Sequence, residues 1–116
     1  MARAVGYMDD LFFQMKIVET AKQLGVEFKV ASNPGGLNGL LEPPTKVVIV
    51  DLNARNNPLA TLTELCATHK ELRVLAFLSH VQTDLAAQAR AAGCHEVMPR
   101  STFTQNLATI LEAAKD

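Results

Sequence analysis

Val47-Val48-Ile49-Val50-Asp51 is the stretch on which the reading of this chain turns. Four β-branched apolar residues in a row, with no polar alternation, read as a strand buried on both faces, as in the middle of a parallel sheet covered by helices. Asp51 then stands at the carboxyl end of that strand. In open α/β sheets the binding crevice lies outside the carboxyl ends of the strands, so a carboxylate there is placed for chemistry rather than for packing.

Working outward, Ala4 to Met8 is a short apolar run ending in Asp9-Asp10, and Leu11 to Leu24 carries Phe13, Ile17, Ala21 and Leu24 at helical intervals. Gly25 supplies the helix stop, and Val26 to Val30 alternates apolar and charged residues as a strand near a sheet edge does. Ser32 to Gly36 is loop chemistry, Leu37 to Glu42 reads as a short helix ended by Pro43-Pro44, and Lys46 to Val50 is the third strand. Beyond Asp51, a polar loop over Asn53 to Asn57 leads through Pro58, at a first helical turn, into a helix over Leu59 to His69. Arg73 to Leu78 is strand-like and Asp84 to Ala92 is an alanine-rich helix closing at Gly93. Glu96-Val97-Met98 is a brief strand, and Thr102 to Ala114 a last amphipathic helix. This alternation predicts a single α/β domain over residues 1–116. Its doubly wound five-stranded parallel sheet has the flavodoxin-like order 2-1-3-4-5, with helices on both faces in three α/β/α layers. The switch point of that order falls between strands 1 and 3, where Asp9, Asp10 and Asp51 meet.

Composition narrows the functional classes. At 116 residues, 48% apolar and 20% charged, the chain is of globular type, and no apolar run is long enough to span a bilayer. The amino terminus lacks a secretory signal, so a cytoplasmic location is expected. Cys66 and Cys94 have neither disulfide-framework nor zinc spacing and read as small buried hydrophobes. A net charge of −1 with scattered Lys and Arg gives no basis for direct nucleic-acid binding. Pro34 to Gly39 lacks the order of a phosphate-binding loop. No glycine fingerprint follows strand 1 and no nucleophile triad is apparent, which speaks against a dinucleotide enzyme or hydrolase. A flavin would need a phosphate cradle where Asp9-Asp10 would repel one.

Three carboxylates from two neighbouring strand ends form an oxygen-rich site that repels itself unless a cation is present. Mg²⁺ answers that need with hard-oxygen coordination, and an aspartate beside it serves as a nucleophile toward phosphorus. Taken singly, Asp9 or Asp10 reads first as a cap of the following helix; with Asp51 they read as a site.

Tyr7-Met8-Asp9-Asp10, Val47 to Asp51, Ala91-Ala92-Gly93 and Arg100, seven positions after that glycine, together resemble the receiver domain of two-component response regulators over nearly the whole chain. The resemblance implies that Asp51 is the phospho-acceptor, that Asp9 and Asp10 hold Mg²⁺, and that the backbone carbonyl of Asn53 is a further ligand. It also implies a histidine kinase or phosphotransfer protein as donor and a downstream protein partner on a face built from helix 4, strand 5 and helix 5. The expected product is a stand-alone, non-enzymatic signalling module without an output domain, as monomer or homodimer, with no membrane or nucleic-acid partner.

Two departures from the family pattern bear on the switch. Spacing back from Arg100 puts Leu78 where receivers place Thr or Ser, with Ser79 one position late. Ser79 recovers the hydroxyl contact if strand 4 is one residue longer or bulged. The family's Lys-Pro pair is Arg100-Ser101 here, and a guanidinium is a broader, planar group than an ammonium. A pseudo-receiver, an interaction module that keeps the fold without phosphorylation, therefore stays open; a metal-dependent phosphatase on the same scaffold lacks an evident general acid. Of the remaining residues, His80 reads as a loop histidine at the crevice rim and His69 and His95 receive no role; Phe13 fits the core face of its helix and the pair Phe12-Phe13 reads first as core, with a place over the crevice or at a partner surface as the alternative for Phe12.

Overall fold

The computed structural model describes residues 4–41, 45–79 and 82–114. Among them, five strands alternate with helices, the last strand being followed by two, as β1 (Ala4–Tyr7), α1 (Leu11–Leu24), β2 (Phe28–Ala31), α2 (Pro34–Leu40), β3 (Val47–Asp51) and α3 (Pro58–Thr68). They continue as β4 (Arg73–Leu78), α4 (Thr83–Ala91), β5 (Glu96–Pro99), α5 (Arg100–Gln105) and α6 (Leu107–Glu112). All pairings are parallel, in the order β2-β1-β3-β4-β5. The sequence-derived topology is therefore the one observed.

Central β3 is buried along its whole length, as its unbroken apolar run requires. Alternation along the strands divides the core in two. Val5, Tyr7, Val48, Val50, Val74 and Ala76 pack on one face with Leu37, Leu62 and Ala86 from α2, α3 and α4. On the other face Val47, Ile49, Leu75 and Phe77 meet Ile17 and Ala21 of α1, Phe103 of α5 and Leu107 of α6. Asp51 continues the Val47, Ile49 series and so lies at the end of the α1/α5 face, paired in register with Phe77.

Local chemistry sets the ends of the elements. Asp10 caps α1 by accepting from the Phe13 N–H at 3.1 Å, and Gly25 closes it in a left-handed turn at φ 74°. Asn33 caps α2 through Gly36 N–H at 2.7 Å. Pro34 and both glycines therefore belong to the first turn of a helix where the sequence suggested loop, since proline fits a first helical turn. The expected end of that helix, Glu42 to Pro44, lies outside the described residues, as does His80. The last helix starts at Arg100 and is interrupted at Asn106, whose Nδ2 donates to the Thr102 carbonyl at 2.8 Å, so a side chain competes for a helical acceptor.

Both thiols are free, and burial pushes that of Cys94 up to about 11, in keeping with a packing role. Phe12 departs from its expected core placement. It is 88% exposed, while Phe13 packs inward on Phe77 and Phe103, with ring centroids at 5.0 and 5.9 Å. Phe77 and Phe103 stack at 4.7 Å. Fully buried Phe103 thus ties α5 to β4 beneath the crevice. Phe103→Ala is expected to lower the unfolding free energy by about 3–5 kcal/mol, read from chemical denaturation; a loss below about 1 kcal/mol would show that this trio does not anchor the helix.

Candidate functional site

The carboxyl ends of β1 and β3 deliver the acids. Asp51, the last residue of β3, has a side chain only 3% exposed, whereas those of Asp9 and Asp10 are 30% and 39% exposed. Each carboxylate already has a partner. Asp51 Oδ1 accepts from Asn53 N–H at 2.8 Å, and Asp9 Oδ2 from Arg55 N–H at 3.0 Å. Asp10 combines both roles considered for it. It caps α1, and its Oδ2 accepts from the Arg100 guanidinium at 3.1 Å.

Arg100 gathers the site. Its Nη1 bonds Asp10 while its Nη2 lies 3.6 Å from Asp51 Oδ2, so one guanidinium spans two carboxylates. The cation lies over Phe13, 4.6 Å from the ring centroid, and 5.3 Å from that of Phe77. Because α5 begins at Arg100 itself, the base of this side chain is fixed at the crevice. An Arg suits this position better than a Lys, since its plane both stacks on aromatic rings and offers a fork of donors.

The electrostatics follow from burial. Removal of Asp51 from water raises its pKa above the ordinary 3.8 and outweighs the Asn53 N–H bond and the Arg100 charge, which act downward. Asp9 and Asp10 add like charge that pushes it further up. At Asp10 the Phe13 N–H and the Arg100 hydrogen bond hold the carboxyl below 3.8.

Around the acids, the β3–α3 loop is stitched in place. Tyr7 Oη donates to the Asn56 carbonyl, Asn56 Nδ2 donates to the Ser32 carbonyl, and Leu52 N–H donates to the Phe77 carbonyl at 3.0 Å. At the far rim Asn53, Ser79 and Gln82 close a triangle. Ser79 N–H donates to Asn53 Oδ1 at 3.0 Å and to Gln82 Oε1 at 3.2 Å, and Asn53 Nδ2 donates to Gln82 Oε1 at 2.6 Å. Strand β4 pairs in unbroken register and ends at Leu78, so the longer or bulged strand that would carry Ser79 into the ladder does not form. Leu78 is buried with Ala86 on the opposite face from Phe77.

The chemistry of Asp9, Asp10, Asp51 and the Asn53 carbonyl suits a hard cation, and a cation of the protein's own lies between two of them. Among the described residues, however, no three His, Cys, Asp or Glu side chains are gathered as a metal site. The donors are right in type and charge, and each carboxylate is already engaged: Asp10 and Asp51 by Arg100, Asp10 also by the first turn of α1, and Asp9 by the Arg55 N–H.

Sequence reasoning missed Tyr7, Arg55, Asn56 and Gln82 as site supports, and the aromatic platform beneath Arg100. The platform had a signal, because Phe77 shares a strand face with Asp51 and Phe13 follows the acids. The loop contacts had none. His95, given no role, accepts the Val74 N–H on Nδ1 at 3.1 Å beside β5.

No protein-family model matches the chain, and no curated protein is similar to it. Solved structures are. The receiver domain of NtrX from Brucella abortus superposes with a TM-score of 0.79 at 20% identity, covering 96% of each chain. A response regulator receiver domain protein from Clostridium thermocellum gives 0.81 at 22% identity, over 98% of this chain and 94% of that one. An orphan response regulator of H. pylori, HP1043, gives 0.76 at 14% identity, over 97% and 95%. The chain has the receiver-domain fold.

The folded state binds the Asp51 proton more tightly than the unfolded chain does, so ionised Asp51 destabilises the fold at pH values above its raised folded pKa. Asp51→Asn should therefore raise the unfolding midpoint at neutral pH. That advantage should shrink as pH falls through the folded pKa toward 3.8. Thermal melts at a series of pH values check this, and a less stable variant at neutral pH would contradict it.

Proposed function

We propose that this domain is a two-component signalling receiver that accepts a phosphoryl group on Asp51, with Mg²⁺ as cofactor and a histidine kinase or phosphotransfer protein as donor. The observation that carries the reading is a buried carboxylate at the end of the central strand with a basic side chain beside its outer oxygen. Asn53 N–H holds Oδ1 and sets the carboxyl plane, leaving Oδ2 beside Arg100. A carboxylate oxygen of Asp51 forms the new P–O bond as the donor's P–N bond breaks, and the imidazole nitrogen departs with the bonding pair. Mg²⁺, held by Asp9, Asp10, Asp51 and the Asn53 carbonyl, would neutralise charge on the incoming group. Arg100 would offer that group a planar fork of donors, and Ser79, whose N–H bonds Asn53 Oδ1 at the rim, would offer a hydroxyl as a third contact.

The readout follows from the same geometry. Arg100 is the first residue of α5, so drawing its guanidinium from Asp10 to a phosphoryl group loosens a tie between α1 and α5. That change reaches the α4–β5–α5 face, where a groove along β5 lined by Arg90, Val97, Met98 and Thr102 suits a downstream protein partner. No helix among the described residues is long and apolar enough to cross a membrane. Cytoplasmic signalling is the setting that fits this reading.

A second reading, an interaction module that is not phosphorylated, draws support from Leu78, buried where receivers carry a hydroxyl. Intact mass after incubation with Mg²⁺ and a small phosphoryl donor separates the two. The first reading predicts one phosphoryl adduct on the wild type and none on Asp51→Asn; an unmodified wild type favours the interaction module.

The donor protein has a natural footing. Leu11, Phe12 and Met15 are 69%, 88% and 67% exposed on α1, next to Asp10. Phe12→Ser should slow phosphotransfer from a protein donor at least about threefold while leaving the small-donor rate unchanged, because interface anchors act on binding rather than on the reacting atoms. Equal slowing with both donors would place Phe12 in the chemistry instead.

A further inference from the structure

We infer that Arg100 is a built-in counter-ion of the acid cluster, competing with divalent cations for Asp10 and Asp51 and keeping their affinity low until the guanidinium is released. The inference deepens the reading above and rests on it only in taking Mg²⁺ as the ligand. Three independent features support it. The guanidinium spans Asp10 Oδ2 at 3.1 Å and Asp51 Oδ2 at 3.6 Å, two of the oxygens a divalent ion would need. Its own position is secured from behind by Phe13 and Phe77, at 4.6 and 5.3 Å, and by the start of α5 at its backbone. No three acidic side chains among the described residues converge as they stand, so a divalent ion does not find its ligands assembled.

The physical consequence is competition. Two cations cannot share these two carboxylates at such separations without strong repulsion, least of all beside a carboxylate removed from water. Asp51, 3% exposed, has little solvent to screen that repulsion, and its neutralisation by Arg100 is what keeps an ionised acid tolerable there. A lysine would hold the site less firmly, since its ammonium is a compact point charge that offers no planar fork and does not stack as a plane on the rings. The substitution of a guanidinium at this position therefore changes when the site takes a metal. Release follows when a phosphoryl group offers Arg100 better acceptors.

Calorimetric titration with Mg²⁺ alone, supported by Mn²⁺ electron paramagnetic resonance, tests this on the full chain. Arg100→Met removes the charge and keeps an apolar stem over Phe13; it should bind Mg²⁺ roughly tenfold or more tightly than wild type, with Arg100→Lys between the two. Circular dichroism and thermal melts verify that each variant is folded, and Arg100→Lys, which keeps a charge, covers the case in which Arg100→Met is not. Binding by Arg100→Met but not by wild type also supports the inference. Equal or weaker binding by both variants, or none by any protein, overturns it. Tighter Mg²⁺ binding by Arg100→Met, together with a wild type that forms no phosphoryl adduct at saturating Mg²⁺, would sink the phosphorylation reading while leaving the counter-ion role standing.

Discussion

A carboxylate withdrawn from water needs an answering charge, and the contact of Asp51 with Arg100 supplies it. Much of the crevice is arranged around that requirement. Asp51 is buried because β3 is the central strand of a parallel sheet with both faces covered. Arg100 arrives from the end of β5, two strands away, at the first residue of α5. Phe13, Phe77 and Phe103 fill the space beneath it, so the packing of α1 and α5 on the sheet and the position of the cation are one arrangement.

That arrangement gives Asp10 two jobs with one side chain, a helix cap through one oxygen and an ion-pair partner through the other. Under the proposed function, coupling of this kind would carry a change at the acid cluster to a helix. Whatever draws Arg100 from Asp10 alters both the start of α5 and the charge next to the first turn of α1. Under the proposed function, small rearrangements there would bias two elements that meet through well-packed rings.

The topology class is readable because β3 and the periodicity of α1, α3 and α4 mark alternating strands and helices, which right-handed crossovers wrap on both faces of a parallel sheet; the order 2-1-3-4-5 is a choice among the doubly wound orders that the structure bears out. Asp9, Asp10, Asp51 and Arg100 were readable as a group because strand ends converge on one crevice. The occupants of the space between them were not, because an ion pair between residues ninety positions apart depends on where side chains turn. Pro34-Gly35-Gly36 was misjudged for a local reason: composition signalled a loop, while the Asn33 cap and a proline at the first turn make a helix. Phe12 and Phe13 look alike in sequence, and only the rotation of α1 decides that one meets Phe77 and the other meets solvent.

The answering of the buried Asp51 charge by Arg100 can be read from the titration of the Asp51 side-chain carboxyl carbon in nuclear magnetic resonance. A midpoint above the ordinary aspartate value of 3.8 is expected in the wild type, with a further rise in Arg100→Met, where the answering charge is gone. A midpoint at or below 3.8, or one that Arg100→Met leaves unmoved, would contradict it.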